Sequence, residues 1–231
     1  MYNTKVVVLI SGNGSNLQAL IDGQQSGTLP IKIAAVISNR PNAYGLTRAA
    51  NANIETQVIN HQQFADRESF DLQLIETIDR YRPQLVVLAG FMRILTPEFV
   101  AHYEGKLLNI HPSLLPSYRG LNTHQRALAA GEKYHGATVH FVTLELDGGP
   151  LIVQARVKIF ENDAAANLAK RVQEVEHIIY PEAVKWFAEN RLIMRKDKVY
   201  LDGKVLETPV IYSGDTGWPA SLSLQSPEQP H

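Results

Sequence analysis

Strands of a kind that only a two-sided core can cover constrain this chain most. Residues 6–10, VVVLI, are all apolar and mostly β-branched, and residues 85–88, LVVL, repeat the pattern. Such runs suit strands buried on both faces. Residues 31–38 and 56–59 read as two further strands between them. Helical spacing fills the gaps. Leu17, Leu20 and Ile21 recur after the first run, residues 43–52 read as a short helix, and Phe70, Leu74, Ile78 and Tyr81 mark the buried face of a longer helix that ends before Pro83. Ser15 and Gln18 have capping-box spacing, which starts the first helix at Ser15 or Asn16. Strands alternating with helices in this way imply right-handed crossovers. The expected fold is α/β, a mostly parallel twisted sheet with helices on both faces and a Rossmann-like N-terminal half.

The second half reads differently. Leu107, Leu108 and Ile110 mark a strand that ends in Pro112 and Pro116, residues 124–130 a short helix, and residues 137–142 and 151–159 two more strands. A long helix over 164–186 is expected to break or kink at Pro181. Residues 192–195 and 199–201, with the Asp202-Gly203 turn, suggest a small hairpin. From residue 213 the chain is rich in Ser, Pro, Gly and Gln and reads as a weakly ordered tail. The expected organisation is one domain over 1–212, with halves 1–105 and 106–212, and a tail over 213–231.

Composition removes several function classes. Lys and Arg number 22 against 23 Asp and Glu, so there is no broad field for nucleic acid or an anionic membrane. There is no cysteine, which excludes disulfides, thiolate catalysis and cysteine-held metals. No apolar run is long enough for a membrane span, and the N-terminus lacks a signal-peptide pattern. The expectation is a soluble cytoplasmic protein acting on small molecules, without membrane, nucleic acid or metal.

Two stretches carry chemistry. Gly12-Asn13-Gly14-Ser15-Asn16 joins a strand to a helix, where free backbone N–H groups and the helix dipole favour an anion such as a phosphate. The third glycine of a dinucleotide fingerprint is replaced by Leu17, and no Walker lysine follows, so a monophosphate is favoured over a turn that binds nothing. Asn109 and His111 alternate along one strand and therefore share a face. Alone they could merely cap a strand end. Asp147, in a Gly-rich turn, could return to the same sheet edge, fix the His111 tautomer and favour imidazolium. An amide donor, an imidazole and a carboxylate together suit a reaction through a tetrahedral oxyanion. No serine sits in a hydrolase elbow, and the histidines lack metal-ligand spacing. His140 reads as a structural strand residue. Met92, Arg93, Ile94 and Leu95 follow a strand end and could line a pocket for a flat ligand or simply pack under a helix. Glu176 and Arg67 read by default as solvated surface charges.

The segments ISGNGSNLQAL, VVLAGFMRIL, LLNIHPSLLPSYRGLNTHQRAL, HGATVHFVTLELDGGPLIVQ and RVQEVEHIIYP occur in this order. Together they resemble the folate-dependent phosphoribosylglycinamide formyltransferases, over nearly the whole chain to Tyr212. The resemblance implies the formyltransferase fold and transfer of a formyl group from 10-formyltetrahydrofolate, as co-substrate, to the amine of glycinamide ribonucleotide in purine biosynthesis. It implies that Asn109, His111 and Asp147 are catalytic and that Gly14, Ser15 and Asn16 hold the substrate phosphate. It further implies that Glu176 holds the ribonucleotide and that folate meets Arg67, Met92, Arg93, Ile94, Leu95, Asn109, Thr143, Leu144, Glu145, Leu146 and Asp147. A monomer or weak homodimer is expected. The sequence departs from some relatives at Arg119 and Asn122, on the rim loop. The alternatives are a formyltetrahydrofolate deformylase, a methionyl-tRNA formyltransferase and a non-catalytic nucleotide-binding module.

Overall fold

A computed structural model describes residues 4–213 and 216–219. Five parallel strands form the first part of the sheet: β1 (Thr4–Ile10), β2 (Ile31–Ser38), β3 (Thr56–Val58), β4 (Leu85–Leu88) and β5 (Leu107–His111), in the order β3-β2-β1-β4-β5. Next to β5 stands β6 (Tyr134–Phe141), antiparallel both to β5 and to β7 (Leu151–Lys158). A further strand, β11 (Val210–Ser213), runs parallel to β7 and completes an eight-stranded sheet among the described residues. The sheet is α/β and mostly parallel, as the alternation of elements requires.

The all-apolar runs are explained by what covers each face. Val6, Val8 and Ile10 pack with Leu17, Leu20 and Ile21 of α1 (Ser15–Ser26) and with Leu168, Val172 and Ile179 of α6 (Ala165–Ala188). Val7 and Leu9 point the other way, onto Phe70, Leu74 and Ile78 of α3 (Arg67–Asp79) and Phe99 of α4 (Pro97–His102). From Val6 to Ile10 neither face of β1 meets water. No helix among the described residues is long and apolar enough to cross a membrane.

Four local expectations are corrected. The first helix starts at Ser15, but its cap is Gly14 in a left-handed conformation (φ 73°), and Ser15 makes no capping bond. Helix α6 runs through Pro181 without interruption. Proline removes one N–H from the ladder, while Ile179, Tyr180, Ala183 and Val184 around it are fully buried and hold the helix in place. The expected hairpin is a three-stranded meander, β8 (Leu192–Arg195), β9 (Lys198–Leu201) and β10 (Lys204–Val205). Its first turn places Lys196 and Asp197 at φ 49° and 57°, a geometry that this residue pair does not advertise. Finally, Ser213 belongs to β11, and Trp218 packs edge-on against Trp186 and Tyr212, so structure extends past the expected start of the tail. Residues 214, 215 and 220–231 of the expected tail lie outside the described residues.

One side chain ties α6 to the two strands that carry the site. The Tyr180 hydroxyl, fully buried, is shared between the carbonyls of Leu88 (2.9 Å) and Leu108 (3.0 Å). Tyr180→Phe removes this donor from two buried carbonyls, so urea denaturation is expected to show a loss of about 1–3 kcal/mol with an unchanged fold.

Candidate active site

The glycine turn after β1 builds one half of the site. Gly14 is required there twice over: its φ is positive, and a Cβ would stand 2.8 Å from Gly45 Cα at the start of α2 (Tyr44–Asn51). Arg48 of α2 steadies the turn by donating from Nε to the Asn13 carbonyl (2.9 Å) and from its guanidinium to Asn13 Oδ1 (3.0 Å). The first α-helical bond runs from Gln18 N–H to the Gly14 carbonyl (2.9 Å). The N–H groups of Ser15, Asn16 and Leu17 therefore precede the helical ladder and carry the positive end of the dipole.

Opposite this turn stands α6. Asn16 Nδ2 donates to Glu176 Oε2 at 2.9 Å, and Gln173 Nε2 donates to Ser15 Oγ at 2.9 Å. Glu176 is no surface charge, because it is buried, and burial pushes its carboxyl up to about 7 against the opposing pull of the Asn16 bond. Asn16 Oδ1 is buried without a partner. Gly14, Asn16 and Glu176 share a 380 Å³ cleft with Gly90, Pro112 and His124 of α5 (Thr123–Ala129). A turn with free helix N–H groups at one end and the unpaired Asn16 Oδ1 on the wall suit a phosphorylated ligand that carries hydroxyl groups.

Asn109, His111 and Asp147 form the other half. Leu108 and Ile110 belong to the core on the α1 and α6 side, so alternation sends Asn109 and His111 to the opposite face of β5. In the antiparallel ladder Asn109 pairs with His140 and His111 with Thr138. His140 Nδ1 lies 2.8 Å from the Phe141 carbonyl, which only accepts, so the ring hydrogen sits on Nδ1. Its Nε2 then accepts from Asn109 Nδ2 at 3.1 Å. Burial pushes the His140 imidazole down to about 4, with the Phe141 carbonyl and Asp147 pulling the other way, so the ring is neutral at neutral pH. One hydrogen of the Asn109 amide is thereby fixed, and the other is available to a ligand.

His111, 6% exposed, lies between two acceptors. Nε2 faces the Tyr118 carbonyl at 2.9 Å, and Nδ1 faces Asp147 Oδ2 at 3.4 Å. Both contacts are met when both ring nitrogens carry hydrogen. The β6–β7 connection begins beside Leu107, where Val142 N–H meets the Leu107 carbonyl, and folds back over the sheet to bring Asp147 to His111. Asp147 thus arrives across the face of the sheet rather than along its edge. Gly149 makes that path possible, since a Cβ there would lie 1.8 Å from the Phe141 carbonyl. Asp147 Oδ2 also accepts from Gly120 N–H at 2.9 Å. Tyr118 and Asp147 both hold left-handed backbone (φ 57° and 48°), a strained conformation typical of functional sites.

The remaining expected residues fall into two groups. Met92 and Ile94 are largely exposed on the β4–α4 loop, Leu95 packs on the second core, and Arg93 lies 4.5 Å above the Phe70 ring. Arg67 and Arg93 act electrostatically on the same buried carboxylate, Asp71. On the β6–β7 loop, Leu144 and Leu146 are exposed, Thr143 is half-buried, and Glu145 pairs with Arg119 of the rim loop. His140 and Gln173 stand among the site residues and escaped the sequence reading. The cross-strand partner of Asn109 could have been sought once β5 and β6 were paired. Gln173 carries no sequence signal beyond its place three residues before Glu176.

Residues 4–184 match the family of sequences described as formyl transferase. The phosphoribosylglycinamide formyltransferase of Escherichia coli (strain K12) is 53% identical over 210 residues, which cover 91% of this chain and 99% of that protein. The chain belongs to the phosphoribosylglycinamide formyltransferase family. Its structure superimposes on the phosphoribosylglycinamide formyltransferase of Coxiella burnetii with a TM-score of 0.85 at 57% identity, covering 88% of this chain and 96% of that one. A formyltetrahydrofolate deformylase from Pseudomonas syringae is more distant, with TM-score 0.79 and 28% identity over 86% of this chain and 66% of that one. Membership of this family rests on the whole sheet, not on the site alone.

The raised Glu176 carboxyl makes stability depend on pH. The unfolded chain releases this proton near 4.5, the folded protein only near 7, so the folded state binds more protons between those values and loses stability as pH rises through them. Glu176→Gln is expected to remove a penalty on the order of 3 kcal/mol above pH 7 and to change little below 4.5. Thermal unfolding of both proteins across that range checks the sign.

Proposed function

We propose that this chain transfers the formyl group of 10-formyltetrahydrofolate to the primary amine of glycinamide ribonucleotide, a step of purine biosynthesis. The observation that carries this reading is the pairing of an amide donor, oriented by a neutral imidazole, with a second imidazole set against a carboxylate. In this reading residues 1–212 work as one unit in the cytoplasm on two small molecules, as a monomer or weak homodimer and without a metal.

The geometry and the family resemblance support the following roles. N–H groups at the start of α1, with Gly14, Ser15 and Asn16, bind the phosphate, and Glu176 receives ribose hydroxyls, so the amine reaches the end of β5. Met92, which reaches into the same cleft, lines one side of the folate pocket with Arg93, Ile94, Leu95 and Arg67. Thr143, Leu144, Glu145 and Leu146 line the other. The amine adds to the formyl carbon, and the carbonyl electron pair moves onto the formyl oxygen. Asn109 donates its free Nδ2 hydrogen to that oxygen, beside the His111 ring that Asp147 holds in place. The Nε2 hydrogen that His111 gives to the Tyr118 carbonyl is the one it can redirect toward the reacting atoms. Collapse breaks the bond to the folate nitrogen, which gains a proton as the former amine loses one, through His111 or water. Holding both reactants in one cleft lowers the barrier by several kcal/mol, and one oxyanion donor contributes about 2.7–4 kcal/mol in known sites.

A spectrophotometric assay with 10-formyltetrahydrofolate is expected to show turnover only when glycinamide ribonucleotide is present. Consumption without the amine would favour the deformylase reading, and no turnover with both substrates would favour a binding module. Asp147→Asn is expected to keep the native circular dichroism while turnover falls about 10²–10⁴-fold. Wild-type turnover in that variant would remove the assigned role.

A further inference from the structure

We infer that Asp71, far from the reacting atoms, is the positioning residue that shapes the formyl-donor wall of the cleft; this rests on the function proposed above. Residues 89–96 connect β4 to α4 and carry Met92 and Ile94, 62% and 57% exposed. Side chains from elsewhere hold two backbone N–H groups of this connection. Met92 N–H donates to Ser11 Oγ at 2.8 Å, and Thr96 N–H donates to Asp71 Oδ2 at 2.6 Å. Arg93, Ile94 and Leu95 lie between these anchors.

Asp71 is 2% exposed on α3, beside Phe70. Its Oδ1 has no hydrogen-bond partner, although Arg93 from the loop and Arg67 from the start of α3 act on its charge. Arg93 Nε is buried and unpaired as well. Burying a carboxylate is costly, and packing α3 against the loop would need no charge at this place. The carboxylate has two tasks at this place. Thr96 caps α4 with its own side chain, which receives Phe99 N–H at 3.3 Å, so the Thr96 N–H lies outside the helical ladder and Asp71 is its acceptor. The same carboxylate attracts the Arg93 guanidinium and keeps it at the base of the loop. Without Asp71 the loop relaxes to hydrate Thr96 N–H, and donor binding must restore its shape.

Steady-state kinetics of Asp71→Ala and Asp71→Asn beside the wild-type protein test this. Asp71→Ala is expected to raise KM for 10-formyltetrahydrofolate about tenfold, leaving kcat and KM for glycinamide ribonucleotide within about twofold. Asp71→Asn keeps an acceptor for Thr96 N–H but loses the charge, so its donor KM is expected to rise only about threefold. Should the alanine variant fail to fold, the isosteric asparagine variant decides alone: a donor KM equal to wild type overturns the role of Asp71. Equal rises in both KM values also overturn it, because they mark a general loss of structure. Wild-type protein that transfers no formyl group overturns the proposed function itself and, with it, this role.

Discussion

The antiparallel pairing of β5 with β6 is the constraint on which the site depends. It is the place where an otherwise parallel order reverses, and it sets His140 opposite Asn109. A one-residue slip in this register would turn every side chain of one strand to the other face. Asn109 would then lose the neutral imidazole that fixes its amide, and His111 would leave the loop that brings Asp147. The Phe141 carbonyl completes the arrangement by holding the His140 hydrogen on Nδ1. Backbone register, ring tautomer and amide orientation thus follow from a single ladder.

Around that ladder two sets of groups meet. The cleft beside α1 and α6 holds the glycine turn and Glu176 and reaches Gly90 and Met92 of the β4–α4 loop, while Asn109 and His111 leave β5 on the α3 and α4 face. Burial favours the neutral form of two ionisable groups in the site and so shifts them in opposite directions. It keeps His140 uncharged, which makes it an acceptor for Asn109, and it holds Glu176 partly protonated, which lets it both donate and accept. The loops over the site hold left-handed backbone at Tyr118 and Asp147, as the turn at Lys196 and Asp197 does elsewhere. A rigid scaffold carrying strained loops is what precise placement of reacting groups requires.

Much of this was legible in the chain itself. Periodicity and all-apolar runs specify the strands and their helices, because a side chain buried on either face leaves the same local imprint whatever lies beyond it. The place of the glycine turn between strand and helix and the shared face of Asn109 and His111 could both be read from the sequence. What stayed hidden depends on contacts distant in sequence. His140 looked structural because nothing local reveals that a strand residue faces Asn109 across a ladder. Glu176 looked solvated because its buried partner, Asn16, stands 160 residues away. Pro181 looked like a break because local propensity ignores the packing that holds α6. Helix α4 was missed although Thr96 and Pro97 form a regular start, since only six residues follow the cap. The resemblance supplied roles for Arg67 and the β6–β7 loop that no single residue declares.

The most direct test of the account is the state of the His140 ring, read by nitrogen-15 NMR of histidine-labelled protein. The hydrogen-bond geometry calls for a neutral ring with its hydrogen on Nδ1 and an accepting Nε2, unchanged from about pH 5 to 8. A ring protonated on Nε2, or one that titrates within that range, would contradict it, because Asn109 would then have no fixed amide to offer the formyl oxygen.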